Sequence, residues 1–261
     1  MVPRALVSGR LCGPSDTREG YHPVGNASRP SRKPAGSVPS GSVATGHLLQ
    51  PEWGEGHQWG EGSLEDRFEV VRPLLVGESV LDLGCASRYG KPDWLHGLLA
   101  KDVPDLVGID INSVTVEKLQ AEGFDVRLAD ARDFDLGRKF DAVFAGELIE
   151  HLDDVRGFLA NVKRHLNPGG RLVLTTPNAF YVGNFVYRFG GHGQVHPEHT
   201  CWYCEDTLRR VLEVNGFSKV EISFAGHKSP TPLRKMATFT AQHLLPPRLS
   251  LDELIAVAIA D

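Results

Sequence analysis

The stretch VLDLGCASRYG, residues 80–90, decides the fold. Its first four residues read as a buried strand, and Gly84 then lets the chain turn where a side chain would block the close approach of a ligand. About twenty residues on stands Asp110 in VGIDIN. At that separation, a carboxylate closing the second strand of an α/β unit can accept hydrogen bonds from both hydroxyls of a ribose.

Outward from this stretch, short β-branched runs alternate with helical segments, the pattern of a doubly wound α/β sheet with helices on both faces. Strands are expected at 79–83, 106–110, 124–128, 140–145, 171–175, 219–224 and 254–259, about seven in all and mostly parallel, with the last antiparallel. Between the fourth and fifth, Val155, Phe158, Leu159, Val162 and Leu166 recur at helical spacing behind the capping residues Asp153 and Asp154, and Pro168-Gly169-Gly170 stops the helix. A second helix is expected near 205–215, ended by Gly216. Ligands of open α/β sheets bind beyond the carboxyl ends of the strands. Polar residues collect at those ends: Asp82 and Gly84 at the first strand, Asp110 at the second, Asp130 after the third, Glu147 after the fourth, Pro177 and Asn178 after the fifth.

The first 62 residues differ. They hold 11 of the 28 glycines and 7 of the 17 prolines and show no apolar period, so a disordered extension is expected at 1–62, with the folded domain at 63–261, its core at 64–225 and a substrate-side segment at 226–261. The tetrapeptide WGEG occurs twice there, too little for a repeat architecture. With 41% hydrophobic residues and a formal net charge of -5, the chain has no global attraction to nucleic acid or anionic lipid. Four cysteines are too few for a disulfide framework, and no apolar stretch approaches membrane-spanning length, so the expected setting is cytoplasmic.

The turn at 80–90, the acid of VGIDIN, LADARDF at 128–134, FDAVFAGELIEHL at 140–152 and LNPGGRLVLTTPN at 166–178 together resemble the Rossmann-like S-adenosylmethionine-dependent methyltransferases, over about residues 64–225. The resemblance implies S-adenosyl-L-methionine as cofactor. Asp82 and Gly84 would line its methionine portion, Asp110 the ribose, and Asp130 and Ala131 the adenine, with Cys85, Ile111 and Glu147 also among the cofactor-binding residues. The turn departs from the family pattern at Ala86 and at Arg88-Tyr89, where glycines are usual, implying a longer loop around the methionine end.

Methyl transfer from a sulfonium mainly needs alignment, and a hydroxyl acceptor also needs a base or a metal. In ELIEHL, Glu147, Glu150 and His151 are spaced i, i+3 and i+4, which on a helix gathers them on one face, and VHPEHTCWY adds His196 and His199. This constellation resembles the Glu-x-x-Glu-His set, with a later His, of ubiquinone-pathway O-methyltransferases and small-RNA 2′-O-methyltransferases. That implies His151, Glu147 and His199 as catalytic residues, and Glu147, Glu150, His151 and His199 as ligands of a divalent cation (Mg, Mn or Zn). A structural zinc site on Cys201 and Cys204 lacks a separated second ligand pair. The expected function is methyl transfer to a small-molecule hydroxyl, with RNA 2′-O-methylation or a non-catalytic cofactor-binding module as alternatives. Against RNA stand the acidic balance and the lack of a basic, aromatic-interleaved stripe.

Overall fold

The computed structural model describes residues 65–75, 77–189, 195–226 and 243–260. The expected extension at 1–62 lies outside them, as do residues 227–242 of the expected substrate-side segment.

Seven strands form one sheet in the order β3-β2-β1-β4-β5-β7-β6. They are β1 (Ser79–Leu83), β2 (Asp105–Asp110), β3 (Val126–Leu128), β4 (Phe140–Gly146), β5 (Leu166–Pro177), β6 (Phe217–Ala225) and β7 (Glu253–Ala260). The first five run parallel, and β7 lies antiparallel between β5 and β6. Each expected strand is present, and β5 is the most extended relative to its expected bounds. The helix expected to reach Leu166 and to be stopped by Pro168-Gly169-Gly170 ends earlier, at Arg164 with His165 as its cap; Leu166 and Pro168-Gly169-Gly170 lie inside β5.

Strand alternation divides the core between the two faces of the sheet. Leu81, Leu83, Val143, Ala145, Leu172 and Leu174 pack against α4 (Val155–Arg164) and α6 (Glu205–Val214), through Phe158, Leu159, Val162, Leu208 and Leu212. Val80, Ala142, Phe144 and Val173 pack with Val71 of α1 (Glu65–Val71) and Leu99 of α2 (Leu95–Leu99). Helix α3 (Ser113–Ala121) buries Val116 and Leu119 against Cys85 and Val126. It begins where the Asn112 side chain accepts from the Thr115 backbone N–H, and α4 begins likewise at Asp154, which accepts from Gly157. Helix α5 (Val182–Phe189) follows β5. No helix among the described residues is long and apolar enough to cross a membrane.

Strand order reverses between β1 and β4, where the chain leaves the sheet in opposite directions and opens a crevice at the carboxyl ends. Gly108 of β2 keeps that region tight. A Cβ there would lie 2.6 Å from Cys85 Sγ and 2.8 Å from His96 Cε1, so only glycine admits both side chains behind the turn.

Candidate active site

At the end of β1, Gly84 takes φ +83°, and its N–H and that of Cys85 both donate to the Ile109 carbonyl. Asp82 is buried with its Oδ2 2.8 Å from His96 Nδ1, so its carboxylate is held from behind by α2. The Cys85 side chain points into the core under α3, where burial pushes the thiol pKa up, and the turn presents only its backbone. The departure at Ala86 to Tyr89 takes the form of successive tight turns. Arg88 sits at φ +63° and pairs with Asp93, Tyr89 bonds Glu122, and α2 starts only at Leu95.

Asp110 closes β2. Its Oδ2 accepts from the Ala86 N–H at 2.9 Å and its Oδ1 from the Asn112 N–H at 2.8 Å, which aims the carboxylate and ties it to the turn. Beside it Ile111 is 74% exposed and Leu128, at the end of β3, is 58% exposed. Asp130 is forked by Arg132, whose hydrogen bonds hold the carboxyl below its ordinary range, and Ala131 is buried next to it. An aimed carboxylate between two uncovered aliphatic side chains fits a ribose joined to a flat base, the shape expected of the cofactor.

After β4 the structure differs from the expected helix. Glu147 adopts φ +49°, and only a single 3-10 turn, Ile149–His151, follows. Neighbouring residues diverge around so short a turn, and the three side chains separate into two groups. Glu150 is buried, its Oε2 accepting from Thr176 Oγ1 at 2.9 Å, and it lies near Arg67 and Glu253. Arg67, from α1, has Nε 2.9 Å from Glu253 Oε1 and an Nη 3.8 Å from Glu147 Oε1. Burial opposes the Arg67 charge, but Glu253, Glu147 and Glu150 more than offset it and raise its pKa. Glu147 also accepts from Thr175 Oγ1 at 3.4 Å.

Burial first, and then the Glu253 charge, push the Glu150 carboxyl up to about 7, against the opposing pull of Thr176 and Arg67. A carboxyl raised on folding stabilises fully below its unfolded pKa, and that contribution is lost as pH climbs through the folded value. Stability is therefore expected to fall between roughly pH 4.5 and 7 on this account. Glu150→Gln removes the titration, so denaturant melts at pH 5 and pH 8 should differ less in the variant than in the parent. An equal difference in both would dismiss the assignment.

His151 turns the other way, toward His199 and His196 on the segment before α6, with ring centroids 4.6 Å and 5.5 Å distant. One nitrogen from each of the three rings lies within 4.8 Å of the other two. The Glu198 backbone hydrogen-bonds His151, the Glu198 N–H donates to His196 Nδ1, and Trp202 Nε1–H donates to His199 Nδ1. Burial and the neighbouring rings lower the His151 pKa and bring that of His199 down to about 4, so both are neutral at pH 7. Thr200 anchors the segment by donating its N–H to the Glu150 carbonyl. The four side chains expected to share a cation are thus divided: Glu147 and Glu150 lie with Arg67, and His151 and His199 lie with His196. Among the described residues, neither carboxylate nor either of Cys201 and Cys204 joins the histidine group.

Arg67, Glu253, Thr176 and His96 escaped the sequence reading. Arg67 and Glu253 sit in ordinary helical and strand contexts, and only the sheet brings them together. His96 had one usable signal, a histidine on an apolar helix stripe opposite a buried acid.

Residues 59–222 match the model of a methyltransferase domain family. A probable S-adenosylmethionine-dependent methyltransferase of Mycolicibacterium smegmatis is 29% identical over 191 residues, covering 70% of this chain and 68% of that protein. A ubiquinone biosynthesis O-methyltransferase of Nitrobacter winogradskyi is 32% identical over 176 residues, covering 60% and 63%. The chain therefore spans somewhat less than two thirds of that second relative. Among solved structures, a SAM-dependent methyltransferase of Archaeoglobus fulgidus shares the fold at TM-score 0.55 and 20% identity, over 74% of this chain and 91% of that one. The sheet with its switch point at β1 and β4, the aimed Asp110 and the family match agree: the chain belongs to the methyltransferase domain family and is an S-adenosylmethionine-dependent methyltransferase.

Proposed function

We propose that the chain methylates a hydroxyl oxygen of a small molecule, with the cofactor along the turn at Gly84 and Cys85, Asp82, Asp110, Ile111, Asp130 and Ala131, and the acceptor at His151. The observation that carries this reading is the group of imidazoles at the end of β4, beyond Glu147, two of them held neutral. As the methyl passes from sulfonium sulfur to oxygen, the S–C electron pair returns to sulfur and the hydroxyl proton must leave. A neutral imidazole is suited to accept it. His151 takes the proton, His199 packs against it, and Glu147 stands between cofactor and acceptor. The relative named as an O-methyltransferase supports oxygen as the target. A divalent cation shared by Glu147, Glu150, His151 and His199 forms no part of this reading, because those side chains divide between two groups. A cytoplasmic setting belongs to the proposal and rests on the scarcity of cysteine.

The test is mass spectrometry of the chain incubated with S-adenosylmethionine and a panel of phenols, catechols, alcohols and matched amines. Methylation of hydroxyl compounds is expected, and methylation confined to amines overturns the reading. For the cofactor half, Asp110→Ala is expected to weaken S-adenosylmethionine binding about tenfold to a hundredfold, the worth of hydrogen bonds to a charged acceptor. Calorimetric titration measures it, and an unchanged Kd would remove Asp110 from the site.

A further inference from the structure

We propose that His151, His196 and His199 form a three-nitrogen centre for one transition-metal ion of the zinc and cobalt class, a centre that includes His196 and excludes both Glu147 and Glu150. Three imidazole nitrogens within 4.8 Å of one another, from two separate segments, are brought together by the Thr200 anchor on the Glu150 carbonyl. Nitrogen-only ligation disfavours magnesium, which takes oxygen ligands, and favours borderline transition ions. Three protein ligands leave a fourth position open, as in catalytic rather than structural zinc sites.

The second shell is partly in place. Glu198 sits against two of the rings: its backbone bonds His151 and its N–H donates to His196. The His151 ring bonded to the Glu198 backbone is the arrangement that orients a metal-bound imidazole, whereas the N–H groups donating to Nδ1 of His196 and His199 run the other way and are given up on loading. Loading requires adjustment. At Zn–N distances of about 2.0–2.1 Å, tetrahedral nitrogens stand roughly 3.3 Å apart, so the rings must draw together. The donors to Nδ1 of His196 and His199, both at 3.3 Å, are longer than the ordinary 2.9–3.0 Å bond and are readily released. His196 and His199 lie three residues apart in one loop, which can make the movement.

With the ion bound, His151 is a ligand in place of a proton acceptor: the ion would lower the pKa of a hydroxyl entering the open position, and the proton would leave to solvent. That role rests on the hydroxyl-acceptor reading, whereas the metal site itself does not.

The experiment is cobalt(II) titration of the untagged, chelator-stripped full chain, followed by the visible absorption of four-coordinate cobalt. One equivalent is expected, with His151→Ala, His196→Ala and His199→Ala each weakening binding about tenfold or more. Glu147→Gln and Glu150→Gln should leave it unchanged. The chain has eleven histidines, so the triple alanine variant sets the background, and cobalt absorption persisting in it overturns the proposal. So does the absence of any stoichiometric site in the parent chain. So does loss of binding in Glu150→Gln with retention in His196→Ala, which would mark the carboxylate set. His196→Gln, with far-UV circular dichroism and S-adenosylmethionine affinity measured alongside, separates lost ligation from lost folding. Cobalt binding without hydroxyl methylation leaves the centre standing and removes the hydroxyl reading, and hydroxyl methylation by a chain that binds no cobalt does the reverse.

Discussion

His151→Ala is expected to lower methyl transfer by about a hundredfold to ten-thousandfold, the usual contribution of a positioned proton acceptor, while S-adenosylmethionine affinity stays within about twofold. The separation follows from geometry. His151 lies beyond Glu147 in the 3-10 turn after β4, facing His196 and His199, whereas the residues proposed to hold the cofactor close β1 and β2. It is only half-buried, so removing it opens no fully buried cavity. The measurement is kcat for an acceptor that the parent chain methylates, paired with calorimetric titration of the cofactor. Equal turnover removes His151 from the mechanism. Equal loss of cofactor affinity instead places it in the cofactor site.

Arg67→Ala is expected to destabilise the fold by about 3–5 kcal/mol, the cost of removing one partner from a buried ion pair. Helix α1 contributes this guanidinium to a place where Glu253 of β7 and Glu147 and Glu150 after β4 converge. Glu253 is 3% exposed and Glu150 1%, so removing the arginine breaks the buried Arg67–Glu253 pair and drives the Glu150 carboxyl further toward its neutral form. For a domain of this size the loss corresponds to a drop in Tm of roughly 10 °C. Thermal unfolding with and without S-adenosylmethionine checks it. A change under about 1 kcal/mol would mean that solvent screens the cluster and that α1 is not anchored through it.

The cofactor half was legible because its signals are local. A strand ending in Gly84, a second strand ending in an acid, and the order of their repeats follow from period-two burial and turn chemistry, which neighbouring residues decide. The helices at 155–164 and 205–214 were legible for the same reason, each having a clear apolar stripe, and the second also its stop signal at Gly216. The acceptor half misled at one point. The spacing of Glu147, Glu150 and His151 presupposed an α-helix, and the chain instead makes a positive-φ residue and one 3-10 turn. Glu147 is held there from outside its own segment, by Thr175 of β5 and Arg67 of α1, contacts that no local pattern announces.

By itself, then, the sequence determined the doubly wound sheet, its strand bounds to within a few residues except for the long β5, the polar carboxyl edge at which the cofactor is proposed to lie, and the histidines and acids from which an acceptor site could be built. Only the tertiary structure decided how those groups are shared out: Glu147 and Glu150 to a buried cluster around Arg67, His151 to His196 and His199. The physical reason is that a buried carboxylate needs a cation or donor wherever the fold brings one, and a half-buried imidazole needs a hydrogen-bonding neighbour. Those partners come from α1, β5, β7 and the segment before α6, distant in sequence and adjacent only once the sheet has formed.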